Sequence, residues 1–83
     1  MLRILFRYLT GSKAGTVEVY PAAKFRALYV GRDPGCDLRF HAEQDGVVSR
    51  NHAVIEWQWA EGEAPRFAVS DLLSSNGTYV NGE

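Results

Sequence analysis

The fold is decided by the stretch HAVIEWQW at residues 52–59. Apolar and polar side chains alternate along most of it, and β-branched and aromatic residues are frequent, which is typical of a half-buried β-strand. One face of this strand carries Ala53, Ile55, Trp57 and Trp59. We expect that face to turn both tryptophans toward the core. Residues 52–59 are therefore predicted to be the central strand.

Shorter runs of the same kind lie on both sides of the central strand, separated by Gly-, Pro- and Ser-containing turns. The predicted strands are residues 2–8, 16–20, 28–30, 38–40, 67–71 and 78–80. Pro21 should end the second strand because it has no N–H to donate. Residues 21–24 fit a helical turn as well, but the run at 28–30 favours extended chain there. No run of ten or more residues has a clean helical period. About seven or eight strands predict an all-β fold, a sandwich or a barrel.

Length and charge restrict the possible functions. A chain of 83 residues is long enough for one domain and too short for two. The formal net charge of −1 gives nucleic acid or an anionic membrane no general attraction. Residues 1–9 are apolar but contain Arg3 and Arg7, and are too short for a membrane span or signal peptide. Cys36 is the single cysteine, so no internal disulfide can form, and we expect a cytoplasmic location.

The end of the chain carries a hairpin signal without a following strand. Asn81-Gly82 is the strongest two-residue hairpin dipeptide, yet only Glu83 follows it. Either the sequence is a piece of a longer chain or another molecule covers the open edge, since unpaired edges invite pairing. We favour the piece of a longer chain. Residues 1–83 are accordingly predicted to be one domain of a longer protein.

Three polar clusters each lie beside a predicted strand. Their sequences are GR at 31–32, SRNH at 49–52 and SSNGT at 74–78. They hold guanidinium, hydroxyl and amide groups and contain no carboxylate, so nearly every polar group is a donor. Arginine matches phosphate in a bidentate way, and glycine-rich loops expose backbone N–H groups. If the loops meet at one end of a sandwich, they predict a site for an anion.

These three motifs, in this order and separated by strands, resemble the forkhead-associated (FHA) domain. The resemblance runs from about Leu2 to Gly82 and includes Val48 and Ala53, which flank the second motif. It implies a β-sandwich of two mostly antiparallel sheets, of the FHA/SMAD type, that recognises phosphothreonine. In most members the domain continues past the turn at Asn81-Gly82 into one or two further strands, which this sequence lacks. This departure concerns the stability and the last edge of the fold and leaves the three binding loops unaffected.

The resemblance also implies roles for individual residues. Arg32 matches the arginine that contacts the phosphate, and Ser49 the serine that hydrogen-bonds it. Arg50 matches a variable position that often adds a further contact. Ser75 matches a hydroxyl residue that usually makes another contact, and Asn76 the asparagine that holds the peptide main chain. The residues expected to support the site without touching the ligand are Gly31, His52, Gly77 and Thr78.

Two other classes of function compete with phosphopeptide binding. Ser49, His52 and Asp71 have the side chains of a nucleophilic triad, but there is no Gly-x-Ser-x-Gly turn, so we expect no enzyme. Cys36, His41 and His52 lack the spacing of a metal site, and we expect no metal and no cofactor.

The alternative that stays open is a β-sandwich that binds its partners independently of phosphate. The partners that the FHA resemblance implies are phosphothreonine proteins, a Ser/Thr protein kinase or its substrates, or a neighbouring domain of the same polypeptide. A location on the cytoplasmic face of a larger membrane-associated protein would also suit these partners.

Overall fold

The computed structural model describes residues 2–60 and 62–82, and within these ranges the chain forms six β-strands and one short 3₁₀ helix. The strands are β1 (Arg3–Arg7), β2 (Val17–Pro21), β3 (Ala27–Gly31), β4 (Leu38–Arg39), β5 (Ala53–Gln58) and β6 (Arg66–Asp71), and the 3₁₀ helix is Ala22–Lys24. Antiparallel β1 and β2 form one sheet. The second sheet has the order β4-β3-β5-β6, in which only the short β3–β4 pair is parallel. The predicted all-β fold with two mostly antiparallel sheets is confirmed.

The first sheet follows the predicted alternation. Ile4 and Tyr8 are buried, whereas Arg3 and Arg7 are exposed on the opposite face. The prediction that Pro21 lies beyond β2 is wrong by one residue, because Pro21 is the last residue of the strand, opposite Arg3. A proline at the end of a strand in a two-stranded sheet loses no obligatory ladder bond.

The register of the second sheet places three loops at one end. Ala53, the first residue of β5, lies between Val30 near the end of β3 and Asp71 at the end of β6. Beyond this row the Leu72 N–H donates to the His52 carbonyl at 2.8 Å, and the His52 N–H donates to the Val30 carbonyl at 2.9 Å. The segments that follow β3, precede β5 and follow β6 must therefore all emerge together.

The core lies between the two sheets. Leu28 is fully buried, and Tyr8 and Leu38 pack with it. Partly buried side chains surround these three, including Phe6, Tyr20, Phe25, Val30, Phe40, Ile55 and Trp57. Edge-to-face contacts order the aromatic rings, as between Tyr8 and Phe40 at 5.3 Å between centroids.

Several local predictions are wrong. Trp59 is 47% exposed, because the β5–β6 ladder ends at Gln58 and nothing fixes the next residue toward the core. Residues 22–24 form the 3₁₀ helix, so the extended reading of that segment is wrong. No strand forms at 78–80, so the described residues hold fewer strands than predicted. Just before this segment Gly77 has a φ of +83°, which is not a strand conformation. The Thr78 hydroxyl donates to the Asp71 carboxylate at 2.7 Å and holds the chain near the end of β6.

The Asn81-Gly82 turn has the local conformation that the dipeptide predicts. Both residues have positive φ, 53° and 83°, as the type I′ hairpin turn requires. That the 83 residues are one domain of a longer protein stays a prediction. In the described part of the chain no helix is long and apolar enough to cross a membrane.

Candidate functional site

Three loops meet at the end of the second sheet: the β3–β4 loop (residues 32–37), the β4–β5 loop (residues 40–52) and the loop after β6 (residues 72–78). Ser49 joins them. Its carbonyl accepts the Arg32 N–H at 3.2 Å, and its hydroxyl oxygen accepts the Ser75 N–H at 3.0 Å. The convergence of the three polar clusters is thus built from direct hydrogen bonds between them.

The His52 ring links the β4–β5 loop to the loop after β6. Its Nδ1 accepts the Ser49 N–H at 2.9 Å, and its Nε2 lies 2.9 Å from the Gly77 carbonyl oxygen. A carbonyl can only accept, so Nε2 carries the proton and the ring is the neutral tautomer. Both ring nitrogens are engaged by backbone, and the imidazole does not bond the Ser49 hydroxyl as a general base would.

Arg32 is partly buried and already uses some of its donors. Nε donates to the Val48 carbonyl at 2.5 Å, and Nη1 donates to the Ala42 carbonyl at 2.6 Å. These bonds tie the β4–β5 loop to the end of β3. Nη2 has no hydrogen-bond partner in residues 2–60 and 62–82, so one amino group of the guanidinium stays available. Removal of the whole side chain would therefore disturb the loop as well as any ligand contact.

The other predicted contact residues also have unused polar groups. The Ser49 hydroxyl accepts from Ser75, and its own proton has no acceptor among the described residues. Asn76 is exposed and donates from Nδ2 to the Val47 carbonyl at 2.8 Å, and no residue in the described part of the chain donates to its Oδ1. An O–H and an amide oxygen therefore remain for a ligand, one a donor and one an acceptor.

The three polar clusters contain no carboxylate, but the structure places one directly beside them. Asp33, the residue after Arg32, accepts a charge-assisted hydrogen bond from Arg50 Nη2 at 3.0 Å. Its other oxygen accepts the Gly35 N–H at 2.9 Å. The Gly35 N–H and the Arg50 guanidinium hold the pKa of Asp33 below its usual range, so the group is ionised at neutral pH.

Two further carboxylates shape the loops, and the sequence analysis did not single out either for this role. Asp71 accepts the Ser74 N–H at 3.0 Å, the Ser74 hydroxyl at 2.5 Å and the Thr78 hydroxyl. The Ser74 and Thr78 hydrogen bonds lower the pKa of Asp71. The signal in the sequence is an Asp three residues before a Ser, which is the spacing of a local side-chain-to-backbone turn.

Asp45 is the second of these carboxylates and is 5% exposed. It accepts the backbone N–H of Ser12 at 2.9 Å, the Ser12 hydroxyl at 2.5 Å and the His41 N–H at 2.8 Å. The Ser12 and His41 bonds lower its pKa. Asp45 thereby connects the β1–β2 hairpin loop to the β4–β5 loop. Nothing local in the sequence predicts this, because Ser12 lies 33 positions away.

Gly31 is the predicted support residue with the least room. It is buried, and a Cβ on it would lie 2.1 Å from the Arg50 carbonyl oxygen. The end of β3 therefore touches the backbone of the β4–β5 loop, which is why the residue before Arg32 has no side chain. The other predicted support residues lie where the β4–β5 loop meets the loop after β6, and these are His52, Gly77 and Thr78.

The residues considered for a metal site are held by the protein itself. His41 Nδ1 accepts the Glu43 and Gln44 N–H groups, and the Cys36 thiol lies 3.5 Å from the Arg50 carbonyl. Within the ranges 2–60 and 62–82, no group of three His, Cys, Asp or Glu side chains is placed to hold a metal ion.

The fold and this loop geometry agree with the comparison with protein families. The family described as FHA domain matches residues 28–83, which is more than half of the chain and includes all three loops. The protein belongs to the FHA domain family. FHA domains are protein-interaction modules that act through phosphopeptides. Searches of curated proteins and of solved structures gave no match.

Proposed function

We propose that the protein binds a segment of a partner protein that contains phosphothreonine, and that it does so at the three joined loops. The observation that carries this proposal is the position of Ser49, which hydrogen-bonds both neighbouring loops and whose hydroxyl proton has no acceptor among residues 2–60 and 62–82. Because the loops are bonded to each other before any ligand arrives, little conformational entropy is lost on binding.

The phosphate is the group that these donors suit. Arg32 Nη2 has N–H groups with no partner among the described residues, and the exposed Arg50 guanidinium belongs to the residue directly after Ser49 in the chain. Ser75 adds a hydroxyl from the loop after β6. Hydrogen bonds to charged groups contribute about 1.5–3 kcal/mol each. Three of them offset much of the roughly 4–15 kcal/mol that association costs.

Asn76 supplies recognition of the peptide itself. With Nδ2 bound to Val47, its Oδ1 is oriented to accept a backbone N–H from an extended chain beside the phosphate. The site therefore reads a phosphorylated residue within a polypeptide rather than free phosphate. We infer that the protein is not an enzyme and that it converts the mark left by a Ser/Thr protein kinase into an association.

Fluorescence anisotropy tests this proposal with three peptide pools of random flanking sequence, in which the central residue is phosphothreonine, phosphoserine or threonine. We expect the phosphothreonine pool to bind at least about tenfold tighter than the threonine pool, which corresponds to 1.4 kcal/mol. Comparison with the phosphoserine pool measures the preference for the threonine methyl group. Equal binding of the phosphorylated and unphosphorylated pools would contradict the proposal.

Variants locate the binding at the loops. Ser49→Ala removes the free hydroxyl, and Arg32→Lys keeps the charge but loses the planar donor geometry. We expect each to weaken phosphothreonine binding by about tenfold or more, as loss of one charge-assisted bond implies. Ser70→Ala and Arg66→Lys, on exposed β6, are the matched controls and should leave affinity unchanged.

A second candidate function is phosphate-independent binding along β6. All six residues of β6 are exposed, including half-exposed Phe67 and Val69. Exposed apolar side chains on an edge strand favour contact with another chain. If this second function is right, the three pools would bind with equal affinity or none of them would bind. Val69→Lys would then weaken association with the partner, whereas Ser49→Ala would not.

A further inference from the structure

An ion pair between Arg50 and Asp33 joins two of the loops that form the proposed phosphate site. Arg50 Nη2 and Asp33 Oδ1 are 3.0 Å apart. The backbones of the two residues also touch, because the Asp33 N–H donates to the Arg50 carbonyl at 3.0 Å. The pair is therefore held together by main-chain contact as well as by charge.

The two partners differ in mobility. Asp33 is anchored, since its Oδ2 accepts the Gly35 N–H and its carbonyl accepts the Cys36 N–H at 2.9 Å. The Arg50 side chain is 67% exposed, and in the described ranges its guanidinium bonds Asp33 alone. When the pair opens, Arg50 is the group that moves, and an ionised carboxylate stays behind beside the site.

We propose that Asp33 competes with the phosphate of the ligand for Arg50, so that the ion pair opens on binding and the free protein has a lower affinity than its donors would otherwise allow. The inference rests on the proposed function, because it concerns the same loops. A phosphate next to Ser49 carries up to two negative charges and needs the guanidinium that Asp33 holds. Asp33 would then act as a built-in limit on affinity, which suits an association that has to be reversed.

Asp33→Asn tests this directly. The Asn side-chain oxygen can still accept the Gly35 N–H, while the negative charge that holds Arg50 is removed. We expect the phosphothreonine pool to bind about three- to tenfold tighter, a modest gain because exposed ion pairs are individually weak. Binding of the unphosphorylated pool should not change.

Asp37→Asn is the matched control. It changes the net charge by the same amount in the same loop, but the Asp37 carboxylate accepts the Tyr29 N–H at 2.9 Å and is not bonded to Arg50. If both variants tighten binding equally, general electrostatics accounts for the effect and the proposal is overturned. Unchanged or weaker binding by Asp33→Asn overturns it as well, since Asp33 would then be positioning Arg50 rather than withholding it.

A double-mutant cycle assigns the effect to Arg50. In an Arg50→Ala background, Asp33→Asn should change affinity by less than about twofold, because the competed group is absent. A gain that persists there contradicts the proposal. The wild-type protein gives an independent measurement, since carboxyl ¹³C NMR should show the pKa of Asp33 rising when the phosphopeptide takes Arg50 away.

The two proposals fail in different ways. If neither the wild type nor any variant binds the phosphorylated pool more tightly than the unphosphorylated pool, both the proposed function and this inference are wrong. If the wild type distinguishes them but Asp33→Asn binds no tighter, phosphopeptide binding stands and only the competition by Asp33 is refuted.

Discussion

Gly31→Ala is the substitution whose effect the structure predicts most directly. The added Cβ would lie 2.1 Å from the Arg50 carbonyl oxygen and 2.8 Å from its carbonyl carbon. Both are backbone atoms, so no side-chain rotation can make room. The end of β3 and the β4–β5 loop would have to separate, and the loop carries Ser49.

The expected cost combines overpacking with lost hydrogen bonds. Inserting a methyl group into a packed region costs about 1–3 kcal/mol. Separation would also stretch the Asp33 N–H···O=C Arg50 and Arg32 N–H···O=C Ser49 bonds, at 3.0 and 3.2 Å, each with a net value of about 1 kcal/mol. We expect a loss of about 3–5 kcal/mol, a large part of the roughly 4–12 kcal/mol typical of a chain of this size.

Urea unfolding followed by tryptophan fluorescence measures the loss. With a slope near 1 kcal/mol per molar, the midpoint should fall by about 3 M or more. Gly46→Ala is the matched control, because its Cβ would be 3.9 Å from the nearest atom, the Glu43 carbonyl oxygen. The close approach of Gly31 to the Arg50 backbone is wrong if two results are found together. The free energy of unfolding of Gly31→Ala would lie within about 0.5 kcal/mol of that of the wild type, and the Arg50 amide signals in NMR would not move.

Three further predictions concern stability. Leu28→Ala, at the one fully buried large side chain in the described ranges, should lower the free energy of unfolding by about 2–5 kcal/mol in the same urea assay. Leu73→Asn should raise it by up to about 1 kcal/mol, because Leu73 is 98% exposed with a φ of 57°, a conformation that Asn tolerates better. Hydrogen bonds hold the pKa values of Asp45 and Asp71 below those of the unfolded chain. The stabilisation from these two carboxylates is therefore fully present above about pH 4 and is lost as the pH falls through their folded pKa values. A circular dichroism titration should show unfolding in acid, and Asp45→Asn should weaken the dependence of stability on pH.

The strands and the convergence of the loops could be predicted because both depend on the backbone. Alternation through β1 and the residue after it correctly divides Ile4 and Tyr8 from Arg3 and Arg7, since the side-chain period of a strand is two whatever surrounds it. The order of the strands then brings the three loops to one end, as the row through Val30 and Ala53 shows.

Side-chain pairing could not be predicted in the same way. Arg50 bonds Asp33, 17 positions earlier, because the two backbones come within hydrogen-bond distance, and no local pattern predicts this partner. Trp59 continues the alternation of β5 but lies outside its ladder, where periodicity no longer decides burial. The local sequence pattern predicts on which face of a strand a side chain lies. Its hydrogen-bond partner depends on residues that are distant in the sequence.

The hydrogen bonds of Ser49 are the reason that the proposed binding should depend on a phosphate. Its backbone N–H, its carbonyl and one lone pair of its hydroxyl are all used internally, by His52, Arg32 and Ser75. These bonds fix the three loops, and among the described residues the Ser49 hydroxyl proton and Arg32 Nη2 remain as donors for a ligand. A neutral hydroxyl on a partner chain can satisfy one such donor, whereas a phosphate has enough oxygens to satisfy several at once. Binding should therefore respond to phosphorylation of the partner even though its surrounding sequence is unchanged.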